Sequence, residues 1–191
     1  MASIRRRGSV RVATGFLVRA GDLGLSPEDE LLVLTNYHVV NEVGSNHALR
    51  PADAEVAFEG AGAPRTYPVE SIVWSSPIER HDATLLRLPG GTDGLGPLPI
   101  APALPIPDFS SQVYLIGYAG GRDLAFSFQD NELIDHEGPP AGRPQTPGVW
   151  RVHYRAATEP GSAGSPVFDA AGCGDDRRER LVFRPRLVPA A

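Results

Sequence analysis

Short apolar stretches, each closed off by glycine, proline or a polar cluster, recur along this chain without heptads or an internal repeat. Residues 9–18 (SVRVATGFLV) read as a strand, with Gly15 marking a bulge or a close approach by another segment. A polar turn over 21–30 leads into 31–35 (LLVLT), whose unbroken apolar character suits a core strand. Asn36-Tyr37-His38-Val39-Val40 follows directly, ahead of a loop over 41–51. Residues 54–59, 67–74 and 83–88 are three more strand candidates, the last preceded by His81-Asp82. The segment 90–107 is dense in glycine and proline and reads as a connector. Beyond it, 112–118, 124–129 and 149–155 supply strands, and the loop over 131–147 holds one short candidate at 132–135. The pattern predicts an all-β chain.

Composition agrees, since 21 glycines and 19 prolines in 191 residues indicate many turns. A chain of this length buries a real core as one compact unit or two small halves. The net charge of -5 argues against nucleic acid as the main partner, which needs a basic face. Arg5-Arg6-Arg7 is expected to be a solvated terminus. The single cysteine, Cys173, forms no internal disulfide and signals no oxidising compartment. No apolar segment is long enough to cross a bilayer, and no apolar targeting core follows the first arginines. The expectation is a soluble cytoplasmic domain of bacterial character with no membrane partner.

Three segments carry chemistry. The stretch Thr158-Glu159-Pro160-Gly161-Ser162-Ala163-Gly164-Ser165-Pro166 reads as a glycine-rich turn running into a buried strand. Such a turn aims successive N–H groups into one concavity, which suits a developing oxyanion. His38 stands just beyond a core strand, and histidine titrates near working pH as a general base must. Asp82 precedes another strand, where an aspartate ordinarily serves as a turn or cap residue. The histidines show no metal-ligand spacing and the lone cysteine excludes a thiolate zinc site, so no metal or cofactor is expected. Gly90-Gly91 and Gly120-Gly121 lack the strand-to-helix context of a phosphate loop.

Together these segments resemble the trypsin-like serine peptidases. Leu-Thr-Asn-Tyr-His-Val-Val around His38 resembles the family's base segment, in particular that of the bacterial glutamyl-endopeptidase branch. His-Asp-Ala-Thr-Leu-Leu around Asp82 resembles its Asp-x-[Ala/Thr]-Leu-Leu segment, and Gly161–Pro166 its nucleophile turn Gly-x-Ser-Gly-[Gly/Ser]-Pro. The order histidine, aspartate, nucleophile turn is that of the chymotrypsin-like fold. The opening Ala13-Thr14-Gly15-Phe16 is similar to the family's Gly-Thr-Gly-Phe. The resemblance implies two Greek-key β-barrels, residues 1–98 and 99–191, with a cleft between them. It implies His38 and Asp82 as catalytic residues and the backbone N–H groups of Gly161 and Ala163 as the oxyanion hole. The substrate would be a peptide or protein, and signalling or defence proteins would be partners.

The chain departs from the family at two places. Ala163 occupies the nucleophile position, so the chain is expected to be inactive as written unless serine is restored. Ser162 and Ser165 sit one residue early and two late, out of line for attack. Intact His38 and Asp82 fit a recent or deliberate loss; a non-catalytic module that binds peptides or partner proteins is the alternative. Ala157 stands where enzymes of basic specificity keep an acid, which disfavours that specificity. Thr158 stands where glutamyl endopeptidases carry a carboxylate-holding threonine, and it equally suits a strand end. The tail, 173–191, carries a charge run where the family places an apolar strand, so the second barrel reads as incomplete.

Overall fold

The computed structural model describes residues 1–44, 47–59, 64–90, 92, 94–101, 112–128, 131–135, 153–156, 158–169 and 180–181. Seven strands come from the first half: β1 (Ala2–Arg6), β2 (Arg11–Arg19), β3 (Leu31–Thr35), β4 (Ala54–Phe58), β5 (Arg65–Pro68), β6 (Ser71–Ser76) and β7 (Ala83–Arg87). They form one antiparallel sheet in the order β5-β4-β1-β2-β3-β7-β6. Further along lie β8 (Val113–Gly117), β9 (Ala125–Ser127), β10 (Glu132–Asp135), β11 (His153–Arg155), β12 (Val167–Asp169) and β13 (Arg180–Leu181). A four-stranded sheet runs β13-β12-β8-β9, and β10 pairs with β11.

β2 is the strand on which the first sheet curls. Its first half, up to Gly15, pairs with β1, and its second half, from Phe16, pairs with β3. The change of partner falls at Gly15, where a methyl group would meet Val33 Cγ1 at 3.0 Å and Ile4 Cδ1 at 3.1 Å. Gly15 therefore marks a close approach, and the curl closes the sheet towards a barrel.

The apolar runs of β2 and β3 are continuous because both faces are covered. Leu17 and Val33 face one cluster with Ile4, Val40, Leu49, Val56 and Leu86. Phe16, Val18, Leu32 and Leu34 face a second, which takes in Phe168 and, at its margin, Tyr114 and Ile116. That second cluster packs the first sheet against β8 and β12. A third cluster of Val113, Leu115 and Leu133, with Tyr154 and Val167 beside it, fills the later sheets. The all-β expectation holds.

Two expectations need correcting. The N-terminus is a strand, β1, inserted between β4 and β2 with Ala2, Ser3 and Ile4 fully buried, while Arg6 and Arg7 are exposed as expected. Three inward residues outweigh the arginines that follow, and Arg5 itself pairs with Glu59. Residues 67–74 are not one strand, because the chain turns between β5 and β6. Pro68 ends the ladder, lacking a donor, and Val69 drops into the core at 6% exposure. The strands expected at 112–118, 124–129 and 83–88 are shorter by a residue or more at their ends. Residues 102–107, 136–147, 149–152 and the tail around Cys173 lie outside the described residues. No helix among the described residues is long and apolar enough to cross a membrane.

Because Ile4 is fully buried at the centre of the first cluster, Ile4→Ala should cost about 2–5 kcal/mol. Val10→Ala, in the exposed hairpin beside it, should stay within about 0.5 kcal/mol. Chemical denaturation checks both; a silent Ile4→Ala would remove β1 from the core.

Candidate active site

His38 is presented by a tight turn that ends β3. The N–H groups of Val39 and Val40 both donate to the Asn36 carbonyl, at 3.1 and 3.2 Å. The two valines are buried, which leaves His38 turned outward. Asp82 reaches it from the start of β7, with a left-handed φ of 48°. That conformation is uncommon for a non-glycine residue but tolerated by aspartate. It is fixed from both sides: Asp82 N donates to Pro77 O at 3.0 Å, and Asn36 Nδ2 donates to Asp82 O at 2.7 Å.

The Asp82 carboxylate grips His38 at two points. Oδ1 accepts from the His38 backbone N at 3.0 Å, and Oδ2 lies 2.7 Å from Nδ1. With the proton on Nδ1, the ring offers Nε2 as a base. The hydrogen bond to Asp82 raises the His38 pKa above 6.5; partial burial opposes the rise and the carboxylate charge adds to it. Asp82 is partly buried, its side chain 24% exposed, against the fully buried carboxylate that a triad would suggest.

The glycine-rich turn is held through its carbonyls. Gly120 N donates to Pro160 O at 2.6 Å, and Ser165 N donates to Ser162 O at 3.0 Å. In a trans peptide the N–H points opposite to the carbonyl, so the N–H groups of Gly161 and Ala163 are directed away from these partners. Thr14 of β2 secures the other two carbonyls: its N–H donates to Ala163 O at 2.8 Å and its Oγ1 to Gly161 O at 3.1 Å. Gly161 has φ 96° and Gly164 φ 79°. A methyl group at 164 would stand 2.0 Å from Thr14 O, and one at 161 would stand 2.6 Å from Tyr118 O. No side chain fits at either place.

A cleft of about 260 Å³ opens between the two parts, and His38, Gly161 and Ala163 all line it. Of the other residues singled out in the sequence, Thr158 is exposed at the start of the turn, and Ala157 lies outside the described residues. The Ser162 hydroxyl accepts from Glu159 N at 3.3 Å within its own turn. Ser165 Oγ is buried against Gly117 without a hydrogen-bond partner among the described residues. Among the described residues no cluster of His, Cys, Asp or Glu could hold a metal ion.

Sequence reasoning missed the supports of this site. Thr14 read as one polar position inside a strand; its burial in an apolar run was the available signal. Arg11 was missed as well. Its guanidinium lies 5.1 Å above the Tyr118 ring, pairs with Glu59, and donates to Arg122 O at 2.8 Å. Arg122 in turn pairs with Glu159, which leads into the turn.

Curled antiparallel sheets meeting at a cleft, with a histidine–carboxylate pair on one side and a glycine-rich turn on the other, define a trypsin-like β-barrel fold. A family model described as trypsin-like peptidase domain matches residues 13–173. The chain belongs to that family. No curated protein matches it. Among solved structures it is similar to the active form of the Rv3671c protease from M. tuberculosis, at 24% identity and TM-score 0.58, covering 96% of this chain and 74% of that one. It is also similar to the MamO protease domain from Magnetospirillum magneticum, at 17% identity and TM-score 0.59, covering 95% and 80%. A third likeness is to Deg5, at 17% identity and TM-score 0.57, covering 90% and 74%. At these identities the likeness speaks for the fold.

A raised folded pKa means that protonated His38 stabilises the fold. That contribution is complete below the ordinary value of 6.5, while Asp82 stays ionised, and is lost as pH rises through the folded value. By proton NMR, His38 should titrate above 6.5, and Asp82→Asn should lower its midpoint. The stability difference between the two proteins should likewise shrink from pH ~6 to pH ~8. Thr14→Val, which keeps shape but loses the hydroxyl, should cost about 1–3 kcal/mol in denaturant melts.

Proposed function

We propose that this chain is a serine endopeptidase domain of the trypsin-like family whose nucleophile position is held by Ala163, leaving it hydrolytically inactive. One observation carries the reading: Asp82 pins His38 at two points while His38 shares a cleft with Gly161 and Ala163. In a serine-bearing form the hydroxyl at 163 would attack a peptide carbonyl and give its proton to His38 Nε2. Asp82 would hold the imidazolium, and the N–H groups of Gly161 and Ala163 would receive the oxyanion. His38 would then pass the proton to the leaving amine, and water would repeat the cycle on the acyl-enzyme.

The two-barrel reading sets the division near residues 98 and 99, with His38 and Asp82 before it and the turn after it. Thr158 and the neutral residue at 157 support a glutamyl-endopeptidase-like preference on the acyl side. A second reading, a peptide-binding module, is favoured by Ala163 itself, since replacing a hydroxyl by hydrogen leaves every backbone contact of the turn in place.

Ala163→Ser should raise peptide or protein hydrolysis on the order of 10⁶-fold in turnover. Adding His38→Ala should abolish the gain. Hydrolysis unchanged by the serine, together with measurable peptide affinity of the Ala163 chain, would favour the binding module instead.

A further inference from the structure

The cleft that holds His38 has a second wall that the proposed chemistry does not use. Val12, Val39 and Leu49 give it an apolar floor, and Arg6 and His47 stand in its lining. Among the described residues no Asp or Glu lines it. Arg6 closes β1 opposite Ala54 of β4, so the ladder fixes its backbone. Arg5, Arg11, Arg19, Arg87, Arg122 and Arg155 all make ion pairs. Arg6 makes none among the described residues. Arg6, exposed and without an ion pair among the described residues, lines this cleft in a chain of net charge -5, which makes its positive charge a local reversal of the protein's overall field.

His47 is placed with similar care. It takes a left-handed φ of 72°, which a histidine tolerates but does not favour. Its loop is stapled to the turn that carries His38. Asn41 N donates to Leu49 O at 3.0 Å, and Leu49 N donates to Val39 O at 2.8 Å. Asn41 Oδ1 also accepts from Val43 N at 3.1 Å and from Gly44 N at 2.7 Å.

We propose that Arg6 and His47 form a carboxylate subsite on the leaving-group side of the cleft, selecting peptides with an acidic residue just downstream of the scissile bond. The side follows from proton transfer, and this step rests on the function proposed above. The leaving amine must face His38, so the chain beyond it lies along the wall that continues from His38: Val39, His47 and Leu49, with Arg6 and Val12 of the β1–β2 hairpin. A planar guanidinium matches a carboxylate with two parallel N–H donors. The apolar floor takes the aliphatic part of the same side chain.

The test has two arms. In the first, fluorescein-labelled peptides of Ala, Ser and Leu carrying one central Asp, or Asn in its place, are titrated against the chain as it stands, with Ala163. The Asp peptide should bind about threefold to tenfold more tightly, an advantage that fades with salt. Arg6→Gln should remove the advantage and Arg6→Glu should reverse it. In the second arm, Ala163→Ser is given a proteome-derived peptide mixture and the cleavage sites are read by mass spectrometry. Asp and Glu should be enriched one or two positions downstream, and Arg6→Glu should replace them with Lys and Arg.

Equal binding of Asp and Asn peptides, absence of binding to either, or indifference to Arg6→Glu would overturn the subsite. Cleavage by Ala163→Ser with no downstream acidic preference would overturn it while leaving the peptidase reading intact. An Arg6-dependent Asp preference in binding, with no cleavage by Ala163→Ser, would reject the peptidase reading and retain the subsite in a binding module.

Discussion

Thr14 makes four hydrogen bonds from a fully buried position. Its N–H and hydroxyl hold the Ala163 and Gly161 carbonyls, its Oγ1 accepts from Tyr118 N at 2.9 Å, and its own carbonyl accepts from Thr35 Oγ1 at 2.8 Å. β2, β3, the end of β8 and the glycine-rich turn are thereby tied at one residue. Thr14, Thr35 and Tyr118 are buried and the turn's carbonyls partly so, so a missing partner at Thr14 leaves a buried donor or acceptor uncompensated. The glycines nearby follow from that constraint. The turn approaches so closely that Gly164 has only 2.0 Å between an added methyl and Thr14 O, and Gly117 has only 2.8 Å to Thr14 Oγ1. The cleft keeps its shape because the turn has nowhere else to go.

The other half of the site is held differently. His38 is oriented by charge and by two hydrogen bonds that it donates to one carboxylate, whose residue is itself set in an uncommon backbone conformation. Asn36 links the two, since its carbonyl shapes the turn that carries His38 and its amide fixes Asp82. This arrangement is partly exposed and titrates, whereas the Thr14 junction is buried and does not. The two halves should therefore respond to different perturbations: pH acts on the imidazole, and packing changes act on the turn.

Much of this was legible in the chain. The core strands β3 and β7 announce themselves as apolar runs, and His38, Asp82 and the glycine-rich turn each carry local context that survives without coordinates. What was not legible is contact over long sequence separation. Thr14 meets Gly161 and Tyr118, more than a hundred positions away, and nothing in Ala13-Thr14-Gly15 specifies those partners. β1 was hidden because three arginines follow only three buried residues, and charge dominated the reading. The same arginines show how position overrides type. Arg5 is absorbed into an ion pair and Arg6 faces the cleft, a difference set by the alternation of a strand that was not foreseen.

The alanine at 163 is also informative about architecture. Its side chain packs partly buried beside the first core cluster, and its peptide group is anchored through its own carbonyl and that of Ser162. A hydroxyl there would add chemistry but no structural bond on which the turn depends. Selection on folding alone therefore cannot distinguish serine from alanine at this position. Under the proposed reading, the donors of Gly161 and Ala163 remain oriented whether or not an attacking oxygen is present, and orientation is the costly part of such a site. On that reading the same cleft would hold a peptide carbonyl without turnover or cleave beside it, with one oxygen atom making the difference.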